Sequence, residues 1–200
     1  MTWEIPEDAS PILFQGPLVC AIIQGRKTVT RRIVLPQPEP GISVLVPPKW
    51  RAGRSLYVRE SWHAPDTQDG LSPSAIGRAA VVAGYPKPWC PVRYDADQAE
   101  IGKLEELQGK AWGKGRPSIH MPKWLSRILL RVKGTRVEPL RKMPEADALL
   151  EGMPDRGDPQ INLFEFTALW DEINGPRGFH WASNPWVFRV EFELVGVRCG

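Results

Sequence analysis

Alternating apolar and polar positions mark several short strands along the chain. The segment "RSLYVRESW" places Leu56, Val58 and Glu60 on one face of a strand, with Tyr57 and Arg59 on the other. The segments "RILLRVKGTRVEPL" and "PWVFRVEFELV" alternate in the same way. Because this period places one set of side chains against a core, the pattern predicts sheets with a buried apolar face.

Other segments have the spacing of amphipathic helices, and the predicted helices span 17–24, 144–151 and 161–174. The first helix has Pro17 at its first position and Gly25 just past its end, where a left-handed residue commonly closes a helix. The second helix has Pro144 in its first turn and Gly152 at its end. These signals indicate short helices placed between the strands.

Strands of antiparallel type at wide spacing, joined by short helices, predict an α+β fold. We expect a small barrel of about five or six mainly antiparallel strands with flanking helices. A doubly wound parallel fold would need regular alternation of strands and helices, which the sequence lacks. We interpret residues 1–200 as a single domain. It contains a loop-rich insertion at about 63–117, with at most one short strand near "PVRYDAD".

The composition restricts the classes of function. The 200 residues carry a net charge of +3, which permits phosphate binding without demonstrating it. The three cysteines form no CxxC pair, so we expect no metal site, no cofactor and a reducing, cytoplasmic location. The first residues lack the features of a signal peptide, and no apolar run is long enough to span a bilayer, so no membrane partner is expected.

The segment "GRKTVTRR", residues 25–32, concentrates four cations and two threonines at a predicted helix exit. From spacing alone, Lys27 is best interpreted as a solvated lysine near the negative end of the helix dipole, and Thr30 as an ordinary strand residue. The alternative is a site for an anionic or nucleotide-like ligand, in which Arg26, Arg31 and Arg32 hold a phosphate or a carbonyl oxygen.

Five stretches in one order resemble the ASCH domain family of the PUA-like superfamily, in its longer phage and prophage form. They are "ILFQGPLVCAIIQGRKTVTRR", "GRSLYVRESW", "RPSIHMPKW", "MPEADALLEGM" and "LWDEINGPRGFHWASNPWVFRVEF". The resemblance implies a β-barrel with a cationic cleft and RNA-related roles. One branch of the family implies an amidohydrolase acting on N4-acetylcytidine, and its catalytic positions match Lys27, Thr30 and Glu151.

The resemblance therefore implies binding of RNA or of a modified nucleotide or nucleoside in a cationic cleft, by a protein expected to be monomeric. One alternative is a metal-independent amidohydrolase acting on acylated nucleosides. Another is a non-catalytic phage accessory protein that keeps only the barrel. A cationic cleft predicts that affinity for single-stranded RNA falls steeply with salt.

From sequence alone, Glu151 is better interpreted as an exposed acid at a helix end.

Four further residues are candidates for ligand contact. Glu60 shares a face with apolar residues, and a buried carboxylate there needs a partner, for which Arg31 or Arg32 would serve. His120, in "SIHMPKW", is the best placed histidine, although a lone histidine is more often structural. In the loop before the last strand, Asn184 can hydrogen-bond to a base and Trp186 can stack on it. The alternative interpretation, which the alternating strand favours, is that Trp186 belongs to the core.

Overall fold

The protein is described by a computed structural model that covers residues 4–39 and 43–198. Its strands are β1 (Ser10–Leu13), β2 (Val29–Ile33), β3 (Ser55–Arg59), β4 (Trp62–His63), β5 (Val92–Tyr94), β6 (Glu100–Ile101), β7 (Ile128–Pro139) and β8 (Trp186–Val197). Its α-helices are α1 (Gly16–Ile23), α2 (Pro73–Val82), α3 (Asp147–Leu150) and α4 (Pro159–Asn174). The predicted α+β class is confirmed.

The described strands form two sheets, and neither closes into the expected barrel. Five strands lie in the order β1-β3-β7-β8-β2, and three lie in the order β4-β5-β6. The pairs β2–β8, β4–β5 and β5–β6 are antiparallel, whereas β1 and β3 pair in parallel. A parallel pair needs a long connection, and the chain supplies one because α1 and β2 separate the two strands.

The chain divides into two compact units. The first unit comprises the described residues up to Cys20, together with Ser55–Leu130 and the described residues from Val195 onward. The second unit comprises Ala21–Arg54 and Arg131–Leu194 within the described ranges. The division falls inside β7 and β8, so each of these two strands contributes residues to both units.

Most of the predicted insertion has regular structure and belongs to the first unit. Ser72 caps α2 by accepting a hydrogen bond from the backbone of Ala75 at 3.2 Å, and Pro73 occupies the first turn. The small sheet and α2 share one apolar core, whose buried members are Trp62, Ala64, Ile76, Cys90, Val92, Tyr94, Ile101, Met121 and Leu125. The expectation of at most one short strand here was wrong, because irregular, proline-rich spacing concealed elements only two to ten residues long.

The aromatic residues of α4 pack in the interior of the second unit. Phe166 and Trp170 are buried, and Trp181 meets Phe166 edge-on with ring centroids 6.1 Å apart. The indole N–H of Trp170 donates to the carbonyl of Phe179 at 2.8 Å, which satisfies its polar group inside the core. Of the predicted helices, 161–174 corresponds closely to α4, whereas 144–151 shrinks to the single turn of α3.

Candidate functional site

In the second unit, the segment from Gly25 to Arg32 turns out of the first helix and enters β2. Gly25 has a φ of +73°, the left-handed conformation expected just past a helix. The backbone N–H groups of Arg26 and Lys27 both donate to the carbonyl of Ala21, at 2.9 and 3.0 Å. Lys27 therefore lies in the turn, before the regular alternation of the strand begins.

Lys27 is buried, with 2% of its surface exposed, so its interpretation as a solvated lysine was wrong. Its Nζ donates to the carbonyl of Val29 at 2.8 Å, to the carbonyl of Glu151 at 2.7 Å and to Glu151 Oε2 at 2.8 Å. Burial lowers the pKa of the Lys27 ammonium below its ordinary value, and the adjacent Glu151 carboxylate only partly opposes that shift.

Glu151 is also buried, with 4% of its surface exposed, although the sequence alone favoured an exposed acid. It follows α3 directly, and a hydrogen bond of 2.9 Å from the backbone of Thr28 to the carbonyl of Leu150 ties this helix end to the turn before β2. Gly152, with a φ of +94°, ends the helix immediately afterwards. Together these contacts hold the Glu151 carboxylate beside Lys27.

Arg31 joins Lys27 and Glu151 to two further carboxylates. Its guanidinium donates to Glu151 Oε1 at 3.1 Å, to Glu138 Oε1 at 3.0 Å and to Asp147. Arg189, which lies opposite Arg31 in the β2–β8 pair, donates to both oxygens of Asp147 at 2.8 and 3.3 Å. Burial alone would raise the pKa of Asp147, but hydrogen bonds from Arg189 and Arg31 hold it below its ordinary value.

The buried charges of this cluster largely compensate one another. Each residue has 8% or less of its surface exposed, and the members are the cations Lys27, Arg31 and Arg189 and the carboxylates Glu138, Asp147 and Glu151. Arg32, which is half-buried, adds a further cation, and burial lowers its pKa while Glu151 opposes that shift. The segment that looked cationic in the sequence therefore directs much of its charge to carboxylates within the protein.

Thr30 is buried in β2, where it pairs with Val190. Successive strand residues point to opposite faces, so Thr30 faces away from the side on which Arg31 meets its carboxylates. Arg26, the first cation of the segment, is exposed and donates to Gln24 and to the carbonyl of Gly152.

Glu60 belongs to the first unit and has its own partners there. Arg127 binds both of its carboxylate oxygens, at 2.9 and 2.8 Å, and also binds Asp97 at 3.0 and 2.9 Å. The Arg127 guanidinium lies 4.1 Å from the ring centroid of Tyr94. The partner expected for Glu60 was Arg31 or Arg32. The structure supplies Arg127 instead.

Glu60 also lines a pocket of about 270 Å³ together with Gly16, Pro17, Ser61, Asp95 and Ala96. Burial raises the pKa of Glu60 above its ordinary value, and the Arg127 hydrogen bonds only partly offset this. Asp95 is held by His63, whose Nε2 lies 2.7 Å from the carboxylate. A carboxyl group of raised pKa in a pocket can exchange a proton or bind a ligand amine.

The remaining candidates lie apart from these two clusters of polar contacts. His120 is exposed at the end of a short 3₁₀ turn in the first unit. In the second unit, Asn184 adopts a left-handed conformation, and its side-chain oxygen accepts from the backbone of Arg141 at 2.7 Å. Trp186 is 38% exposed, so its interpretation as a core residue was wrong. It begins β8, where the strand emerges from the 3₁₀ turn before it.

Several residues of these clusters were missed by the sequence reasoning: Asp97, Arg127, Glu138, Asp147 and Arg189. One of them left a local signal, because Asp147 precedes Glu151 by four residues in a predicted helix and shares its face. The others lie on strands or loops where no short spacing marks them. The partners that join them to these clusters are 30 to 107 residues distant in sequence, so pattern alone could not pair them.

The described residues lack the features of two other classes of protein, those that bind a metal ion through such side chains and those that cross a membrane by a helix. No group of three or more histidine, cysteine, aspartate or glutamate residues within 4–39 and 43–198 is arranged to hold a metal ion. None of the helices in those ranges combines the length and the apolar character needed to cross a membrane.

Comparisons with known proteins give structural similarity at low sequence identity. No family model matches the sequence, and no curated protein matches it. Among solved structures, the chain is similar to protein EF3133 from Enterococcus faecalis V583, described by family-model DUF984. The TM-score is 0.47 and the sequence identity is 11%, over 98% of this chain and 86% of that chain.

Proposed function

We propose that the second unit binds a small, neutral, modified nucleoside beside Lys27 and Glu151, in keeping with the resemblance of its motifs to the ASCH family. One observation carries the proposal: the buried Lys27 Nζ donates to Glu151 Oε2 at 2.8 Å. The resemblance assigns function to these same two positions, which are 124 residues apart in the chain. Lys27 Nζ donates to three oxygens of the protein, and Glu151 also accepts from Arg31, so an amide or a base edge of the ligand would bind by exchanging one of these directional polar contacts.

Charge compensation favours a neutral ligand over a polyanion. Salt dependence of nucleic-acid binding comes from cations that displace the counterions of phosphates. Lys27 and Arg31 already have carboxylate partners, so they offer little unbalanced charge to a phosphate. The affinity for a nucleoside at this cluster should therefore change little with salt, in contrast to the steep dependence that an RNA cleft would give.

Amide hydrolysis is the second candidate, and the lowered pKa of the buried Lys27 favours it. The Thr30 hydroxyl would attack the acyl carbonyl carbon, and its proton would pass to the neutral Lys27 amine. The C–N bond would then break, and the proton taken up by Lys27 would pass through the Glu151 carboxylate, 2.8 Å away, to the leaving amine. Water would release the acyl group from Thr30 as a carboxylic acid. Because Thr30 faces away from the carboxylates that Arg31 meets, this reaction requires β2 to rearrange so that the Thr30 hydroxyl reaches the side on which Lys27 meets Glu151.

The test combines calorimetry with a chromatographic assay, using N4-acetylcytidine and cytidine. Wild type should bind the acetylated nucleoside, with an affinity that varies less than about threefold between 50 and 300 mM salt. Lys27→Met should abolish binding, whereas Lys142→Met removes an exposed lysine of the same unit and should leave it unchanged. Loss of the acetyl group in wild type, and not in Thr30→Val, would establish hydrolysis. If binding is absent in folded wild type, or equal in both lysine variants, the proposal fails.

A further inference from the structure

The first unit contains a cavity of about 720 Å³ that is separate from the pocket beside Glu60. This volume is typical of sites for small organic ligands, which range over roughly 300–1,000 Å³. Its wall combines aromatic rings with cationic side chains: Tyr85, Trp89, Trp124, Lys87, Lys123 and Arg198. Residues 85–89 of its wall lie in the segment that the sequence had indicated to be mainly loop.

Both indole rings of the cavity are fixed by their surroundings. Trp89 donates from Nε1 to Glu106 Oε2 at 3.2 Å, and its ring edge packs so closely on Gly102 that a Cβ there would lie 2.8 Å from it. Trp124 packs on Gly77, where a Cβ would lie 3.2 Å from the ring. Both tryptophans also pack against the apolar core of the first unit. A ligand that stacks on these rings would therefore meet surfaces that are already ordered.

The charged side chains of the cavity are predominantly positive. Lys87 is exposed, and no ion pair joins it to a carboxylate elsewhere in residues 4–39 and 43–198. Lys123 donates to the carbonyl of Glu7 at 2.9 Å, so its charge is not neutralised. Arg198 lies over Trp89 with its guanidinium carbon 5.3 Å from the ring centroid. The only acid among the described lining residues is Glu4.

We propose that this cavity binds a nucleoside monophosphate unit, with its base stacked on Trp89 or Trp124 and its phosphate held by Lys87, Lys123 and Arg198. Every base offers a flat face for stacking on aromatic side chains, and lysine and arginine bind phosphate by charge-assisted hydrogen bonds. A neutral apolar ligand would leave the three cations without a partner. The unit can belong to a free nucleotide or to a single strand of RNA, which share this chemistry.

The inference is independent of the proposed function, because none of these residues belongs to the second unit. The experiment uses the full chain and titrates adenosine monophosphate, adenosine and a six-nucleotide RNA by calorimetry. Adenosine should bind at least tenfold more weakly than the monophosphate, because it lacks the phosphate. If the monophosphate binds no more tightly than adenosine, the proposal is overturned.

A matched pair of charge reversals locates the site. Lys87→Glu should weaken monophosphate binding at least tenfold, whereas Lys110→Glu, an exposed lysine of the same unit outside the cavity, should weaken it less than twofold. Equal effects of the two variants would overturn the proposal. Tighter binding of the RNA, with a steeper salt dependence, would identify a strand as the source, and tighter binding of the monophosphate would identify a free nucleotide. Lys142→Met, which removes an exposed lysine of the second unit, should leave all of these titrations unchanged.

Discussion

Lys27 and Glu151 lie 124 residues apart in the chain, and the Lys27 ammonium donates both to the carboxylate and to the backbone carbonyl of Glu151. The two contacts hold the side chain and the main chain of the same residue, so they fix the end of α3 against the turn before β2. A buried ion pair contributes modest stability as a pair, but removing one partner leaves an uncompensated charge inside the protein.

Replacing Glu151 alone should therefore lower the free energy of unfolding strongly. Glu151→Gln leaves Lys27 and Arg31 without that carboxylate, and we expect a loss of about 3–5 kcal/mol in the free energy of unfolding. Urea denaturation measures it, and Glu145→Gln, an exposed acid just before the same helix, should cost less than about 0.5 kcal/mol. The double variant Lys27→Met/Glu151→Gln should lose less than the sum of the single variants, because both charges are gone. Strict additivity would show that the pair is not coupled.

Lowering the pH should remove the contribution of Asp147 to the stability of the fold. Its folded pKa lies below the ordinary value of 3.8, so the folded state binds fewer protons than the unfolded state in that range. The resulting stabilisation is present above pH 3.8 and is lost as the pH falls through the folded pKa. Asp147→Asn should therefore be less stable than wild type at pH 6, and the difference should shrink below pH 3.8. Denaturation between pH 2.5 and 6, with the exposed Glu172→Gln as control, measures this. A difference that stays constant with pH would contradict it.

The glycine after α3 should tolerate a side chain less well than the glycine after α1. Gly25 and Gly152 both have positive φ, and adding a Cβ there costs about 1–2 kcal/mol in each case. At Gly25 nothing lies within 4 Å of the added atom, whereas at Gly152 it would lie 3.0 Å from Ala21 and 3.1 Å from Lys27. Thermal denaturation should therefore show a larger loss for Gly152→Ala than for Gly25→Ala. Equal losses would mean that the contacts beside Lys27 relax without cost.

Arg127 should be essential to the stability of the first unit. Arg127→Met removes the bidentate partner of Glu60 and leaves a buried carboxylate, for which we expect a loss of about 3–5 kcal/mol at pH 7. The loss should diminish as the pH is lowered, because burial already raises the pKa of Glu60 and protonation would neutralise it. Urea denaturation at pH 5 and pH 7 gives both values. Arg131→Met, which removes an exposed arginine, should have little effect. A pH-independent loss would instead indicate that the packing of Arg127 on Tyr94 dominates.

The elements that depend on neighbouring residues follow directly from the sequence. Leu56 and Val58 are buried in β3, as their alternation predicts, and Ile128 is buried at the start of β7. The exit of α1 through Gly25 follows from backbone sterics at one position. Such features need only a few consecutive residues, because side-chain direction has a period of two in a strand and about 3.6 in a helix.

The tertiary structure alone decided which charged residues are buried and with which partners. Lys27 and Glu151 each have an exposed alternative that local spacing favours, and only the meeting of α3 with the turn before β2 buries both. Glu60 pairs with Arg127, 67 residues further along the chain, rather than with the nearer cations of β2. A buried charge is tolerated only where a residue of opposite charge lies beside it. Because that residue is distant in the sequence, a local sequence pattern does not identify it.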